Sequence, residues 1–135
     1  MTIQLSTAVR NARLDAIETT MGTAIVVKIR TGSQPANCAA ADSGSVLVSY
    51  TLASDWAGNA AAGAKAFSST PISGTASGTG IAAHYRAYAS DGTTCHMQGS
   101  VTETGGGGDM TVDNDDIANG QAVNITGWTV TDGNA

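Results

Sequence analysis

Residues 81–102 constrain the fold most, because their side chains alternate as the two strands of one β-hairpin. A three-residue loop, Ser90-Asp91-Gly92, with Gly92 in the left-handed conformation, sorts the hairpin into one apolar and one polar face. The predicted apolar pairs are Ala87/Cys95, Tyr85/Met97, Ala83/Gly99 and Ile81/Val101. The predicted polar pairs are Tyr88/Thr94, Arg86/His96 and His84/Gln98. The hairpin therefore predicts a sheet with one buried side, with both histidines facing solvent and Cys95 facing the core.

The rest of the chain predicts one helix followed by further strands. Ser6 or Thr7 is a suitable N-cap for a helix over 7 to about 20, and Gly22 ends it. Beside the hairpin, the pattern favours strands at 24–30, 45–52, 66–76, 109–114 and 121–131, the last with a bulge at Gly127. We predict a helical segment (1–22) and a mainly β domain (23–135). The expected architecture is a single antiparallel β-sandwich of about seven strands, jelly-roll or Ig-like, with Trp56 as a core plug.

The predicted helix carries two apolar stripes where a surface helix needs one. The first consists of small residues, Leu5, Ala8, Val9, Ala12 and Ala16. The second stripe lies beside two arginines on another face: Leu14, Ile17 and Met21, with Arg10 and Arg13. We expect one face to pack on the sheet, and the second stripe to contact another copy or another protein. The alternative is a helix sunk deeper into its own fold.

Charge is unevenly distributed along the chain, whose net charge is −5. Residues 87–135 contain no Lys or Arg but seven acidic residues, Asp115 and Asp116 among them. This distribution argues against nucleic-acid binding, which needs a clustered basic surface. It permits a head-to-tail contact in which Arg10 and Arg13 of one copy meet Asp115 and Asp116 of another, and such a contact should weaken with salt. The alternative is an ordinary solvated acidic surface.

The residues offer little for catalysis or metal binding. His84 and His96 lack a third zinc ligand in the sequence, and the acids at 113–116 lack the spacing of a calcium loop. Cys95 and His96 are neighbours on one strand, so their side chains point to opposite faces and form no catalytic dyad. We therefore expect neither an enzyme nor a cofactor.

The chain shows no signal peptide and no apolar run long enough for a membrane. We accordingly expect synthesis without secretion and no membrane partner. In a protein that is not secreted, Cys38 and Cys95 are expected to be free thiols, with a disulfide as the alternative.

Several segments resemble a family of small virion structural proteins of tailed bacteriophages and prophages. They are Asn-Ala-Arg-Leu-Asp-Ala-Ile-Glu at 11–18, and the stretches 47–56, 92–96, 105–113 and 131–135. The resemblance implies a non-enzymatic virion component, assembled in the bacterial cytoplasm with copies of itself and with other virion proteins such as the major capsid protein. We expect a capsid decoration or cement protein; the alternative is a tail, tail-tip or fibre-associated part.

Overall fold

The computed structural model describes residues 2–68 and 71–133 of the chain. It contains one helix, α1 (Thr7–Met21), and ten strands in the described ranges. The strands are β1 (Val26–Arg30), β2 (Val46–Thr51), β3 (Ala64–Ala66), β4 (Ile72–Thr75), β5 (Gly80–Ile81), β6 (His84–Tyr88), β7 (Cys95–Glu103), β8 (Met110–Val112), β9 (Asp116–Ile117) and β10 (Ala122–Thr131). The seven predicted strands are present; β3, β5 and β9 are short additions. The predicted strand over 66–76 forms only as β4, and its residues 69 and 70 lie outside the described ranges, as do 134 and 135 of the last resembling segment.

Helix α1 begins and ends at the residues that the sequence indicates. The Ser6 side chain accepts a hydrogen bond from the Val9 amide, 3.3 Å away, as an N-cap does. Gly22 has φ +81°, and its amide donates to the Glu18 carbonyl at 2.9 Å. That left-handed conformation suits glycine, so the helix stops there. The predicted helix is confirmed.

The main sheet is mixed and curls into a half-barrel. Its strand order is β2-β1-β6-β7-β8-β10-β3, with β4 also paired to β10, while β5 and β9 form a separate two-stranded ladder. β7 and β8 run parallel, so the expectation of an entirely antiparallel sheet is wrong at this pair. The connection between them is short because Gly105 and Gly107 adopt positive φ and turn the chain back in a few residues. The prediction of a mainly β fold with one N-terminal helix is confirmed.

Strand β10 produces much of the curl. Its first half pairs with β4 and its end with β3, while its other edge pairs with β8. The register with β8 shifts between Ile125 and Gly127, which confirms the predicted bulge. From β2, the Tyr50 hydroxyl crosses the interior and donates to the Val123 carbonyl at 3.0 Å. Gly74 on β4 lies so close to the Tyr50 ring that a Cβ there would clash with it.

The core fills the inside of this curled sheet. Ile25, Val27 and Ile29 are completely buried, as their alternation predicts. An aromatic group completes the core: Trp56 and Phe67 stack, Phe67 stacks on Trp128, and the edge of Tyr85 meets Trp128. Trp56 is 2% exposed and its indole N–H donates to the Gly22 carbonyl at 2.9 Å, so the predicted core plug is confirmed and also holds the end of α1.

The β6–β7 hairpin exists, but its predicted register is wrong. The observed pairs are Tyr88/Cys95, Ala87/Met97, Arg86/Gln98, Tyr85/Gly99 and His84/Ser100. The Asp91 side chain accepts hydrogen bonds from the amides of Thr93 and Thr94, and the loop is wider than predicted. A bulge beside Ala87 then shifts the pairing further, so that Ala87 lies opposite Met97. Tyr85 and Ala87 keep their predicted face, whereas Cys95 moves from the core face to the face of Arg86.

The polar face of this hairpin is covered, which corrects a second expectation. His84 and Arg86 are each 1% exposed, because the chain segment 31–45 packs over them. His96, by contrast, is exposed as predicted. A polar strand face therefore faces other polar groups here and not solvent.

Candidate functional site

The second apolar stripe of α1 packs inside its own fold. Leu14 and Met21 are 3% and 4% exposed, and the partly buried Ile17 packs against the core. The expectation that this stripe contacts another copy is therefore corrected. The helix lies against β3 and beside residues of β7 and β10.

The two arginines of the predicted interface also have partners within the chain. Arg10 donates to the Asp132 carbonyl at 2.9 Å, and Arg13 lies 3.3 Å from the Asp132 carboxylate. The two arginines of α1 thus meet an acidic residue in the C-terminal part of the same chain. Asp115 and Asp116 lie elsewhere, in and beside β9, and a contact of these acids with a neighbouring copy stays a prediction.

The first stripe forms the exposed side of the helix. We define the outer face of α1 as Ala8, Val9, Ala12 and Ala16, all of which are exposed, with Val9 at 45%. Ile3, in the extended stretch before the helix, is 85% exposed. The helix therefore has one buried and one exposed apolar face, and the buried face is the second stripe.

A buried lysine fastens α1 to the sheet. The Lys65 side chain is 2% exposed, and its Nζ lies 2.8 Å from Asp15 and 3.0 Å from Glu18, both on α1. It also donates to the Gly58 carbonyl at 2.8 Å. Burial lowers the pKa of Lys65, but its bonds to the two carboxylates outweigh burial and raise the pKa overall.

A second ionic group joins the segment 31–45 to the sheet and centres on Asp42, whose side chain is 39% exposed. The Asp42 carboxylate accepts from Arg30 at 2.6 Å, from the Tyr88 hydroxyl at 2.7 Å and from Arg86. The side chains of Arg30 and Arg86 are 8% and 1% exposed. We call Arg30, Asp42, Arg86 and Tyr88 the Asp42 cluster.

Arg86 makes several of the hydrogen bonds between this segment and the sheet. Its guanidinium donates to the carbonyls of Asn37, Cys38 and Ala40, and its Nε donates to the Cys95 Sγ at 3.2 Å. Because the donor in each of these bonds is a charged guanidinium, the bonds are stronger than hydrogen bonds between neutral groups. Arg86 therefore holds the segment 31–45 in one conformation.

The Asp42 cluster shifts the protonation of its members. Burial raises the pKa of Asp42, but the Tyr88 hydroxyl and the two arginines outweigh it, so the pKa lies below its usual value. Burial, followed by the bond to Asp42, raises the pKa of Tyr88 to about 12. Burial and the charges of Arg30 and Arg86 lower the pKa of the adjacent His84, whose Nδ1 lies 2.9 Å from the Gly32 carbonyl.

A cleft of about 640 Å³ opens between α1 and the sheet. Its apolar wall includes Ile17, Met97 and Val130, and its polar rim includes His96 and Asp109. Asp109 accepts from both the amide and the hydroxyl of Ser100, bonds that lower its pKa and tie the glycine-rich turn to β7. This carboxylate therefore has a structural task.

Neither a group of metal ligands nor a membrane-spanning helix is found among the residues that the structure describes. Within residues 2–68 and 71–133, no three His, Cys, Asp or Glu side chains lie close enough together to hold a metal ion. In the same ranges, no helix is both long and apolar enough to cross a bilayer. His84 and His96 lie in different surroundings, one buried and one exposed.

Comparison with known proteins adds no relative: no family model, no curated protein and no solved structure matches this chain.

Proposed function

We propose that this chain is a non-enzymatic structural component of a tailed-phage virion, a capsid decoration or cement protein that attaches through the outer face of α1. The alternative is a tail, tail-tip or fibre-associated part. The observation that carries the attachment surface is the pair of large apolar side chains, Ile3 and Val9, left exposed at the N-terminal end of the molecule. Apolar surface of this kind gains stability when a neighbour covers it.

The rest of the α1 region supports the same assignment. The inner side of α1 is held by Leu14, Met21 and Lys65, so the outer face is presented on a fixed helix. Three alanines on that face would let a neighbouring backbone approach closely. We propose copies of this chain and the major capsid protein as the partners, the virion as the location, and the host cytoplasm as the place of assembly. The jelly-roll or Ig-like sandwich likewise stays a proposal.

The first experiment measures where the protein resides in particles. Particles induced from the bacterium that encodes the chain are purified, and the copy number of the protein is determined by quantitative mass spectrometry. Hundreds of copies per particle support decoration of the head, whereas small multiples of three or six support the tail alternative. Complete absence from particles contradicts both.

The second experiment tests the attachment surface. The double variant Val9→Glu/Ala12→Glu places charge on the outer face without touching the core, and should abolish incorporation into particles. Ala118→Glu/Asn119→Glu is the matched control, because it adds the same two negative charges at exposed positions far along the chain. Both variants should keep the circular dichroism of the native protein. Normal incorporation of the folded double variant would contradict attachment through this face.

A further inference from the structure

The two cysteines, far apart in sequence, meet at one guanidinium. Cys95 on β7 accepts through its Sγ from the Arg86 Nε at 3.2 Å. Cys38, in the segment 31–45, accepts through its carbonyl from the Arg86 Nη2 at 2.8 Å. The fold thus brings two thiol-bearing residues of different elements to the same side chain, and both thiols are free.

The Cys95 thiol interacts with the Cys38 thiol as well as with Arg86. Burial, and then the Cys38 thiol, raise the pKa of Cys95 to about 11, although Arg86 acts in the opposite direction. Cys95 is therefore protonated at neutral pH and has to lose its proton before it can attack a disulfide. Both residues are half-buried, so a small oxidant can reach them.

We propose that Cys38 and Cys95 form a disulfide when the folded protein meets a disulfide oxidant such as oxidised glutathione. The bond would fasten the segment 31–45 covalently to β7. Deprotonated Cys38 attacks one glutathione sulfur and releases the first glutathione, leaving a mixed disulfide. Deprotonated Cys95 then attacks the Cys38 sulfur and releases the second glutathione. Two thiols are oxidised, one disulfide is reduced, and the two thiol protons leave on the two glutathiones.

The disulfide would fasten the segment 31–45, in which no residue is buried. The segment 31–45 has Arg86 and Asp42 as its main fastening, and a covalent link would keep it in place even where these ionic bonds weaken. A disulfide that closes the chain between residues 38 and 95 also restricts the unfolded chain, which stabilises the folded state. The inference does not depend on the proposed virion role.

The test incubates the folded, reduced protein with oxidised glutathione and measures the intact mass. The expected product has lost two hydrogens and carries no glutathione. After denaturation, trypsin should release peptides 31–65 and 87–135 joined to each other, because Lys and Arg occur at 30, 65 and 86 and at no later position. Glutathione adducts, dimers linked through cysteine, or an unchanged mass would each overturn the proposal.

Stability provides a second readout that does not depend on any variant folding well. The oxidised native protein should melt several degrees above the reduced one, and subtilisin should cut it more slowly within 31–45. Cys38→Ser is the control: its melting temperature should be the same with and without oxidised glutathione. An oxidised native protein that melts at or below the reduced one would contradict a stabilising link.

Discussion

The helix α1 and the segment 31–45 are both held by cations that are buried beneath them, yet they are fastened in different ways. α1 inserts Leu14 and Met21 into the core and adds the bonds of Asp15 and Glu18 to Lys65. None of residues 31–45, all described, is buried, and hydrogen bonds and ion pairs tie the segment to the sheet.

This difference determines how strongly a single substitution should destabilise each region. Apolar burial is spread over several side chains, and Lys65 has two carboxylates, so α1 has more than one independent support. The segment 31–45 depends on one carboxylate that neutralises two buried guanidiniums. A buried cation whose anionic partner is removed still lacks its hydration, and no ionic attraction then offsets that cost of desolvation. One substitution should therefore affect the segment 31–45 more than any single charge change affects α1.

The largest expected effect comes from Asp42→Ala. It leaves Arg30 and Arg86 buried side by side without a counter-charge, which should lower the free energy of unfolding by about 3 kcal/mol. The same variant should be cut rapidly by subtilisin within 31–45 while α1 stays resistant. Urea denaturation and timed proteolysis measure the two effects.

Asp55→Ala is the control for this variant, since Asp55 is an exposed acid outside the cluster. It should change the free energy of unfolding by less than about 0.5 kcal/mol. If Asp42→Ala is as stable as this control, the polar fastening does not hold the segment.

The next effect concerns α1. Leu14→Ala removes an apolar side chain that is 3% exposed and should cost about 2 kcal/mol of unfolding free energy. Val9→Ala on the outer face is the matched control and should cost less than about 0.5 kcal/mol. Both substitutions favour the helix, so propensity cannot produce the loss. Equal stability of the two variants in urea would mean that α1 is not anchored through Leu14.

The smallest effect is the pH response of His84. Its pKa lies below its usual value, so the unfolded chain takes up a proton at a higher pH than the folded chain does. Stability should therefore fall as the pH drops below about 6.5, by at most about 1.4 kcal/mol per pH unit. Urea midpoints at roughly pH 7.5 and 5.5 measure this fall.

His84→Gln should remove most of that pH response, whereas His96→Gln, at an exposed histidine, should retain it. A native protein with equal midpoints at both pH values would contradict the burial of a neutral His84 among arginines. An unchanged response in His84→Gln would assign the effect to another group.

Local patterns predicted the elements of this fold well. Ser6 and Gly22 delimit α1, the alternation of Ile25, Val27 and Ile29 identifies β1, and Gly127 marks the bulge, because caps, alternation and bulges depend on near neighbours in sequence. The same patterns could not show that the β7–β8 pair is parallel, or how the sheet curls. Those features arise from long-range pairing.

The roles of the charged residues were the part that the sequence could not reveal. Arg86 and His84 alternate with Tyr85 and Ala87 on β6, and such polar positions in a strand ordinarily face water. The available signal was Arg86, a cation in the middle of a strand, together with a long loop that contains one acid, Asp42. This signal does not show that the two residues form an ion pair. Lys65 likewise lies in an Ala/Gly-rich stretch without any periodicity.

The sequence by itself determined the helix, most strands, the apolar core and the two-sided character of α1, because each follows from side-chain periodicity and local conformational preference. Only the tertiary structure decided which side of α1 is buried, that the polar face of β6 is covered, and that Cys38 and Cys95 both contact Arg86. The physical reason is that burial of a charge or a thiol depends on which distant segment covers it. In this chain that segment is 31–45, and its position is specified by a few charged bonds between residues far apart in sequence.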